Sequence, residues 1–263
     1  MAKQLAIAIE KGGSGKTTTA VNLAVLFGAM GKRVLLVDTD KQGNATLTLT
    51  QRRLIDFSGG GVFGALSQMD TRPVADFILE TTCQNVWVLP SCPEMDSIED
   101  LLKKVQEEKF VAMYEALREL LAPVQDAYDL IIHDCPPALS NMTKGALVAA
   151  SHVLIPLKAD GYSIEGCVST IALIDLLKKK ANPGLALCGI LLTMVDKRTK
   201  LVGEMREVLE ESGYPVRRES IGTSQAVNVS TTYKQPVVLY DPGCAASRDY
   251  KALATALLDE LFE

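Results

Sequence analysis

Histidine is nearly missing from this chain: of 263 residues two are histidine, His133 and His152, one is tryptophan, and aromatics make up 5%. Each histidine lies in or beside an apolar, strand-like run, so a histidine metal site or a Ser-His-Asp triad has no material to work with. The six cysteines, Cys83, Cys92, Cys135, Cys167, Cys188 and Cys244, contain no C-x-x-C pair. That removes a zinc knuckle and a disulfide framework and leaves reduced, buried thiols. No apolar stretch reaches the roughly 18 residues of a membrane helix, and Met1-Ala2-Lys3-Gln4 has no signal-peptide character, so a cytosolic protein is expected. Positive charge is not in excess either, with 27 Lys and Arg against 32 Asp and Glu and a formal net charge of -5. This argues against a protein held on nucleic acid by bulk charge and leaves room for a local basic face. The remaining composition, 48% hydrophobic and 22% charged, suits a core-forming globular chain, read as one domain over residues 1–263.

Short apolar runs at residues 5–9, 33–37, 86–89, 130–133, 153–157 and 187–193, with a weaker one at 236–239, alternate with longer segments of helical period. Most of these runs are rich in Val, Ile and Leu without strict alternation, as in strands buried on both faces. The pattern predicts an α/β fold: three layers, with a mostly parallel central sheet and helices on both faces. Helices are expected over 17–30, closed by Gly31, over 98–121, and over 164–180, opened by a Ser163 cap and ended before Asn182-Pro183-Gly184. Near the C-terminus Tyr250, Leu253, Ala254, Leu257, Leu258 and Leu261 recur at helical spacing, a stripe suited to packing on the sheet. Residues 47–84, which include Ser58-Gly59-Gly60-Gly61, carry no assignable pattern.

The most specific signal is Lys11-Gly12-Gly13-Ser14-Gly15-Lys16-Thr17-Thr18-Thr19, directly after the first strand and opening the first helix. Glycines at 12, 13 and 15 let the backbone curl with its N–H groups inward, Lys16 reaches β and γ phosphates, and the Thr17 hydroxyl suits Mg²⁺ at the positive end of the helix. The strict G-x-x-x-x-G-K-[ST] pattern is not met, because Glu10 stands at its first glycine and Lys11 where the loop begins. A lysine this early is placed to reach the phosphates of a neighbouring subunit, as an arginine finger does, an effect worth about 10³ to 10⁵ in rate. A second motif, Val37-Asp38-Thr39-Asp40-Lys41-Gln42-Gly43-Asn44-Ala45-Thr46, lies just past the end of the second strand. Carboxylates at that edge face the phosphate loop, so Asp38 and Asp40 are candidates for holding Mg²⁺-bound water and orienting an attacking water. A third, Tyr128 through Pro137, is an apolar strand ending in Asp134, the shape of a Walker B strand that holds Mg²⁺.

The loop K-G-G-S-G-K-T-T-T resembles the deviant Walker A loop of the ParA/MinD family of ATPases, with Lys11 at its signature lysine. Asp38 through Asn44 is similar to the family's switch I, D-x-D-P-Q-G-N, with Lys41 in place of proline, and Asp134-Cys135-Pro136-Pro137 to its switch II, D-x-P-P. Leu192-Thr193-Met194-Val195-Asp196-Lys197-Arg198-Thr199 and Pro236 through Pro242 resemble two later family segments, for which shaping an adenine pocket and a plain loop role are both open. The resemblance spans almost the whole chain and most favours the short ParA types.

It implies ATP and Mg²⁺ as cofactors and slow basal hydrolysis. It also implies a homodimer sandwiching two nucleotides with Lys11 acting in trans, and Asp40 as the residue needed for hydrolysis. Lys11, Gly12, Gly13, Ser14, Gly15, Lys16, Thr17 and Thr18 would bind the nucleotide, and Thr17, Asp38 and Asp134 the metal. Implied partners are nonspecific DNA and a ParB-like adaptor that stimulates hydrolysis, with no membrane and with a cytoplasmic, nucleoid-associated location in the ATP state. Two other outputs stay open: MinD-like membrane placement, opposed by the acidic Asp259, Glu260 and Glu263 of the last helix, and a nucleotide-switched protein interface. Residues 221–229 lack the two arginines common in that region of ParA-like proteins, which leaves Arg217, Arg218, Lys234, Arg248 and Lys251 as candidate DNA contacts.

Overall fold

Apolar runs that do not alternate need cover on both sides, and the chain supplies it with helices in two layers. The computed structural model describes residues 1–109, 112–160, 163–196 and 199–262. Among them the elements run β1 (Lys3–Ile7), α1 (Lys16–Ala29), β2 (Val34–Asp38), α2 (Asn44–Thr50), α3 (Gly61–Ser67), β3 (Leu79–Glu80), β4 (Val86–Leu89), α4 (Ile98–Lys109) and α5 (Ala116–Leu121). They continue as β5 (Leu130–Asp134), α6 (Asn141–Ala149), β6 (His152–Lys158), α7 (Ser163–Lys180), β7 (Ala186–Val195), α8 (Leu201–Glu211), β8 (Val216–Gly222), α9 (Gln225–Thr232), α10 (Val237–Tyr240) and α11 (Ala245–Phe262). The strands form one sheet in the order β3-β4-β2-β5-β1-β6-β7-β8, parallel except for β3 on β4.

The sheet divides two apolar cores. Leu5 and Ile7 of β1, Val34 and Leu36 of β2, and Leu130 and Ile132 of β5 face α1 and α11, while Ala6, Leu35, Val37 and Ile131 face the layer that includes α3 to α8. Period-2 packing on both faces explains why these strands carry few polar residues. The α11 stripe is core, with Tyr250, Leu253, Ala254, Leu257 and Leu261 buried. All six cysteines are free thiols, five of them buried.

Two expectations are corrected, and a region left unassigned is filled. The run at 236–239 is helical: Pro236 precedes α10, Tyr240 N donates to Pro236 O, and Asn22 Oδ1 accepts Val238 N at 3.1 Å, closing the turn onto α1. The helix expected over 98–121 is two, α4 and α5, with a turn before Glu115 whose N–H donates to Ala112 O; Phe110 and Val111, inside the expected span, lie outside the described residues. The unassigned 47–84 region holds most of α2, all of α3 and the short edge strand β3. Strand β8, Val-Arg-Arg-Glu-Ser-Ile-Gly, was not expected, because an edge strand with one neighbour keeps polar side chains.

Candidate active site

The centre of the sheet fixes where the site lies. β1 is flanked by β5 and β6, so its carboxyl end opens between their following loops, the crevice where parallel sheets bind ligands. Leaving β1, residues 8–15 form the glycine loop. Gly13 (φ 70°) and Gly15 (φ 86°) lie in the left-handed region that side chains resist. A Cβ at Gly12 or Gly13 would meet nothing within 4 Å, so the concave face of the loop is open. Remote elements hold the loop in place. Thr193 Oγ1 of β7 donates to Ser14 O at 2.9 Å, Glu10 N donates to Thr170 Oγ1 at 3.0 Å, and Gly166 packs so closely that a Cβ there would stand 2.4 Å from Glu10 O.

Lys16 is buried, and its Nζ donates to Lys11 O at 2.6 Å across the loop; Ser14 Oγ donates to the same carbonyl at 3.4 Å. Burial lowers the Lys16 pKa, with Asp134 the strongest opposing influence and Asp40 a weaker one. Lys11, at the loop entrance, helps hold the Asp160 carboxyl down, although the Ser163 hydroxyl bond to that carboxyl does more. Thr17 and Thr18 are half-buried in the first turn of α1, whose Gly15 N-cap makes no side-chain bond.

Asp38 and Asp134 are in-register neighbours on β2 and β5 and both are fully buried. Their environments differ. Asp38 Oδ2 accepts Thr46 N at 2.8 Å and Thr46 Oγ1 at 2.7 Å, and its Oδ1 accepts Asp40 N at 3.3 Å. It braces α2 against the sheet, and burial, the largest cause, pushes its carboxyl up to about 6 against the pull of the Thr46 bonds. Among the described residues Asp134 has no hydrogen-bond partner on either oxygen. Burial first and the Asp38 charge second push it well above the carboxylate range, while the Thr17 hydroxyl and the Lys16 ammonium pull the other way. Adjacent buried carboxylates ionise together only beside added positive charge, so the Asp134 oxygens suit a hard divalent cation. Among the described residues no three His, Cys, Asp or Glu side chains gather to hold a metal alone, so such a cation needs oxygens from a bound ligand as well.

Asp40 is 9% exposed at the rim; its Oδ1 accepts Gln42 N at 3.0 Å and its carbonyl accepts Ser91 Oγ at 2.7 Å. Thr39 ties this loop to β5, its Oγ1 donating to Asp134 O at 2.8 Å. Lys41, where the family motif has proline, pairs with Asp96 at 2.9 Å in solvent, a contact worth little. Sequence reading missed Ser91, Gly166 and Thr170, supports whose partners are remote in the chain; Thr46 and Thr193 lie in its motifs, and their bracing bonds appear only in the structure.

Two cavities flank Thr18. One of about 300 Å³ is lined by Gly15, Thr18, Lys158, Thr193, Thr223 and Asn228 among others. Met194 lines it too, whereas Lys197 and Arg198 of the same motif lie outside the described residues. The other, of about 310 Å³, lies between α1, α2 and the end of α9, with Thr17, Asn44, Ser230, Lys234 and Pro236 on its walls. At its rim Gln51 Nε2 donates to Lys234 O, and both residues are left-handed, φ 56° and 51°. Of the candidate DNA contacts, Arg217 is committed elsewhere: its guanidinium bonds Glu219, Glu260 and Cys188 O. Arg218, Lys234, Arg248 and Lys251 are exposed.

The model of an AAA domain family matches residues 2–187. The chain is 35% identical to the chromosome partitioning protein ParA of Myxococcus xanthus, over 97% of this chain and 87% of that one. It is also 35% identical to the sporulation initiation inhibitor protein Soj of Bacillus subtilis, over 97% of each. Among solved structures, cobyrinic acid a,c-diamide synthase of Mycobacterium smegmatis with bound ADP and magnesium superposes with a TM-score of 0.82 at 27% identity, covering 99% of this chain and 95% of that one. The cell division ATPase MinD of Pyrococcus furiosus superposes with a TM-score of 0.78 at 26% identity, covering 99% and 100%.

Proposed function

The chain belongs to the ParA/Soj family of P-loop ATPases, and from that premise we propose that it hydrolyses ATP with Mg²⁺ to drive a dimerisation cycle that segregates or positions a cargo. The observation that carries the reading is the unpartnered, fully buried Asp134 carboxylate beside Thr17 and Lys16 at the mouth of an open glycine loop. Asp134 and Thr17 would hold the metal, with Asp38 behind them as part of the acidic surround, and a bound Mg²⁺ supplies neutralisation of phosphate charge.

The protein's own groups then divide the work. The amides of Gly12 through Thr18 cradle phosphate oxygens. Lys16 exchanges the Lys11 carbonyl for a phosphate oxygen, a swap its single bond permits. Asp40, poised at the rim with one oxygen on Gln42 N, orients the attacking water. Lys11 reaches the partner's nucleotide and stabilises the transferring phosphoryl group, so turnover requires the dimer and is slow without an adaptor. In the ATP state the dimer binds DNA nonspecifically, in the cytoplasm at the nucleoid, and a ParB-like adaptor triggers release. The burial of the α11 stripe favours this output over a MinD-like grip on lipid, since that helix has spent its apolar face on the core.

The test is a pair of variants followed by ATPase assay and sedimentation. Lys11→Ala is expected to keep nucleotide binding and lose hydrolysis and ATP-dependent dimerisation, while Asp40→Ala is trapped as an ATP dimer. Wild-type turnover by either variant removes that residue from the mechanism.

A further inference from the structure

The α9–α11 junction carries an aromatic surface open to solvent. Tyr233 and Tyr240 stack on each other, centroids 5.9 Å apart and planes 16° from parallel, yet Tyr233 is 61% and Tyr240 38% exposed. Leu239 beside them is 54% exposed. An exposed stack of this kind buries one face of each ring and presents the others to solvent, a flat platform with no role in the core.

The charge around the platform is one-sided. Arg248 donates to Gly243 O and Lys251 Nζ to Pro242 O at 3.1 Å, which brings both cations onto the 241–244 turn that follows Tyr240. Lys234 adjoins Tyr233 in sequence. Among the described residues none of these three cations pairs with a carboxylate; Arg248 and Lys251 touch only backbone carbonyls, which do not neutralise them. Asp241, the one acid between Tyr233 and Cys244, points its Oδ1 at Gly243 N at 3.2 Å. Nearby Arg217, in contrast, is fully paired with Glu219 and Glu260.

Aromatic faces flanked by uncompensated cations suit a polyanion with exposed planar bases. A duplex keeps its base faces stacked inside, whereas a single strand offers them. We propose that Tyr233 and Tyr240, with Lys234, Arg248 and Lys251, form a binding surface for single-stranded nucleic acid, bases on the tyrosines and phosphates on the cations. This rests on the reading above that the ATP-bound protein engages DNA. The surface is tethered to the nucleotide site, because Gln51 at the end of α2 bonds Lys234 O while the start of α2 is pinned by Asp38 through Thr46.

The experiment is fluorescence anisotropy on the full chain in the Asp40→Ala background with Mg²⁺-ATP. The probes are a labelled oligothymidylate of about 20 nucleotides and a duplex of about the same length. The double variant Tyr233→Ala/Tyr240→Ala is expected to weaken single-strand binding at least about tenfold and duplex binding less than about threefold, and Tyr233→Phe/Tyr240→Phe to restore it. Lys251→Gln is expected to weaken both and reduce the salt slope by about 1. In urea unfolding the tyrosine variants should match the Asp40→Ala parent, which reports an intact fold. Single-strand binding unchanged by the alanine pair, or reduced equally on both probes, overturns the platform and leaves the DNA reading standing. If the unsubstituted background binds neither probe, the DNA reading falls and takes the platform with it.

Discussion

Two clusters of buried charge in this molecule are treated in opposite ways. On the β8 edge, Arg217 is 9% exposed and every contact it makes is partnered: Nε with Glu219 at 3.0 Å, Nη1 with Glu260 at 2.6 Å and with Cys188 O at 2.8 Å. These bonds tie β8 to β7 and α11. At the phosphate loop, Asp134 is buried with no hydrogen-bond partner and Lys16 is turned onto a carbonyl of its own loop. The first arrangement holds strands together; the second is held in place by the rest of the protein and lacks solvation that only a ligand replaces. Buried charge with partners marks structure, and buried charge without them marks a site.

Substitutions at the two clusters should therefore pull stability in opposite directions. Arg217→Ala strands Glu219 beside a vacated guanidinium and is expected to cost about 3 to 5 kcal/mol, nearer the lower figure because Glu260 is 38% exposed. Urea unfolding reads this, and nucleotide affinity should hardly move; a loss of affinity in the folded variant would merge the two clusters into one. His133 gives a smaller, pH-dependent effect. Burial holds its imidazole down to about 4, against 6.5 in an unfolded chain, so the unfolded state takes up the proton first. The contribution is complete above about pH 6.5 and is lost as pH falls through about 4, amounting to up to about 3 kcal/mol. Asp38, raised to about 6, works the other way in part of that window, so the quantity to measure is the difference between the wild type and His133→Gln across the range. Parallel stability curves for the two proteins would refute the assignment. The smallest effect carries the sharpest contrast: Asp134→Asn removes a buried carboxyl that burial and Asp38 keep from ionising freely, and is expected to raise stability without nucleotide by about 1 kcal/mol. The same change should abolish the rise in Tm that Mg²⁺-ATP produces, and a variant that is less stable yet still stabilised by nucleotide would show that Asp134 is a structural residue.

The phosphate loop was legible before any coordinates because its glycines have no substitute: Gly13 and Gly15 adopt φ values that side chains resist, and Lys16-Thr17 open a helix where an anion would sit. The central strands were legible because burial on both faces enforces unbroken Val, Ile and Leu. Where one face is open the code fails, as in β8, whose Arg217 and Glu219 look like a solvated turn until Cys188 and Glu260 are brought beside them. The 236–239 run is as apolar as a strand, and its helical turn follows from Asn22, a residue more than two hundred positions away. Within the site the sequence put Asp38 and Asp134 together but not their difference, which depends on Thr46 reaching one carboxylate and nothing reaching the other.

The strand order carries a consequence for synthesis. β1 emerges from the ribosome first, yet its neighbours are β5, which begins at Leu130, and β6, which begins at His152. The bond that steadies the glycine loop, Thr193 to Ser14, joins residues 179 apart. A nascent chain therefore carries one of the two central strands of its sheet uncovered until β5 and β6 have been made, a delay that favours slow, late folding. Thr193 meets Ser14 only when β7 has joined the sheet, so this brace on the nucleotide loop arrives late in synthesis, after both strands that flank β1.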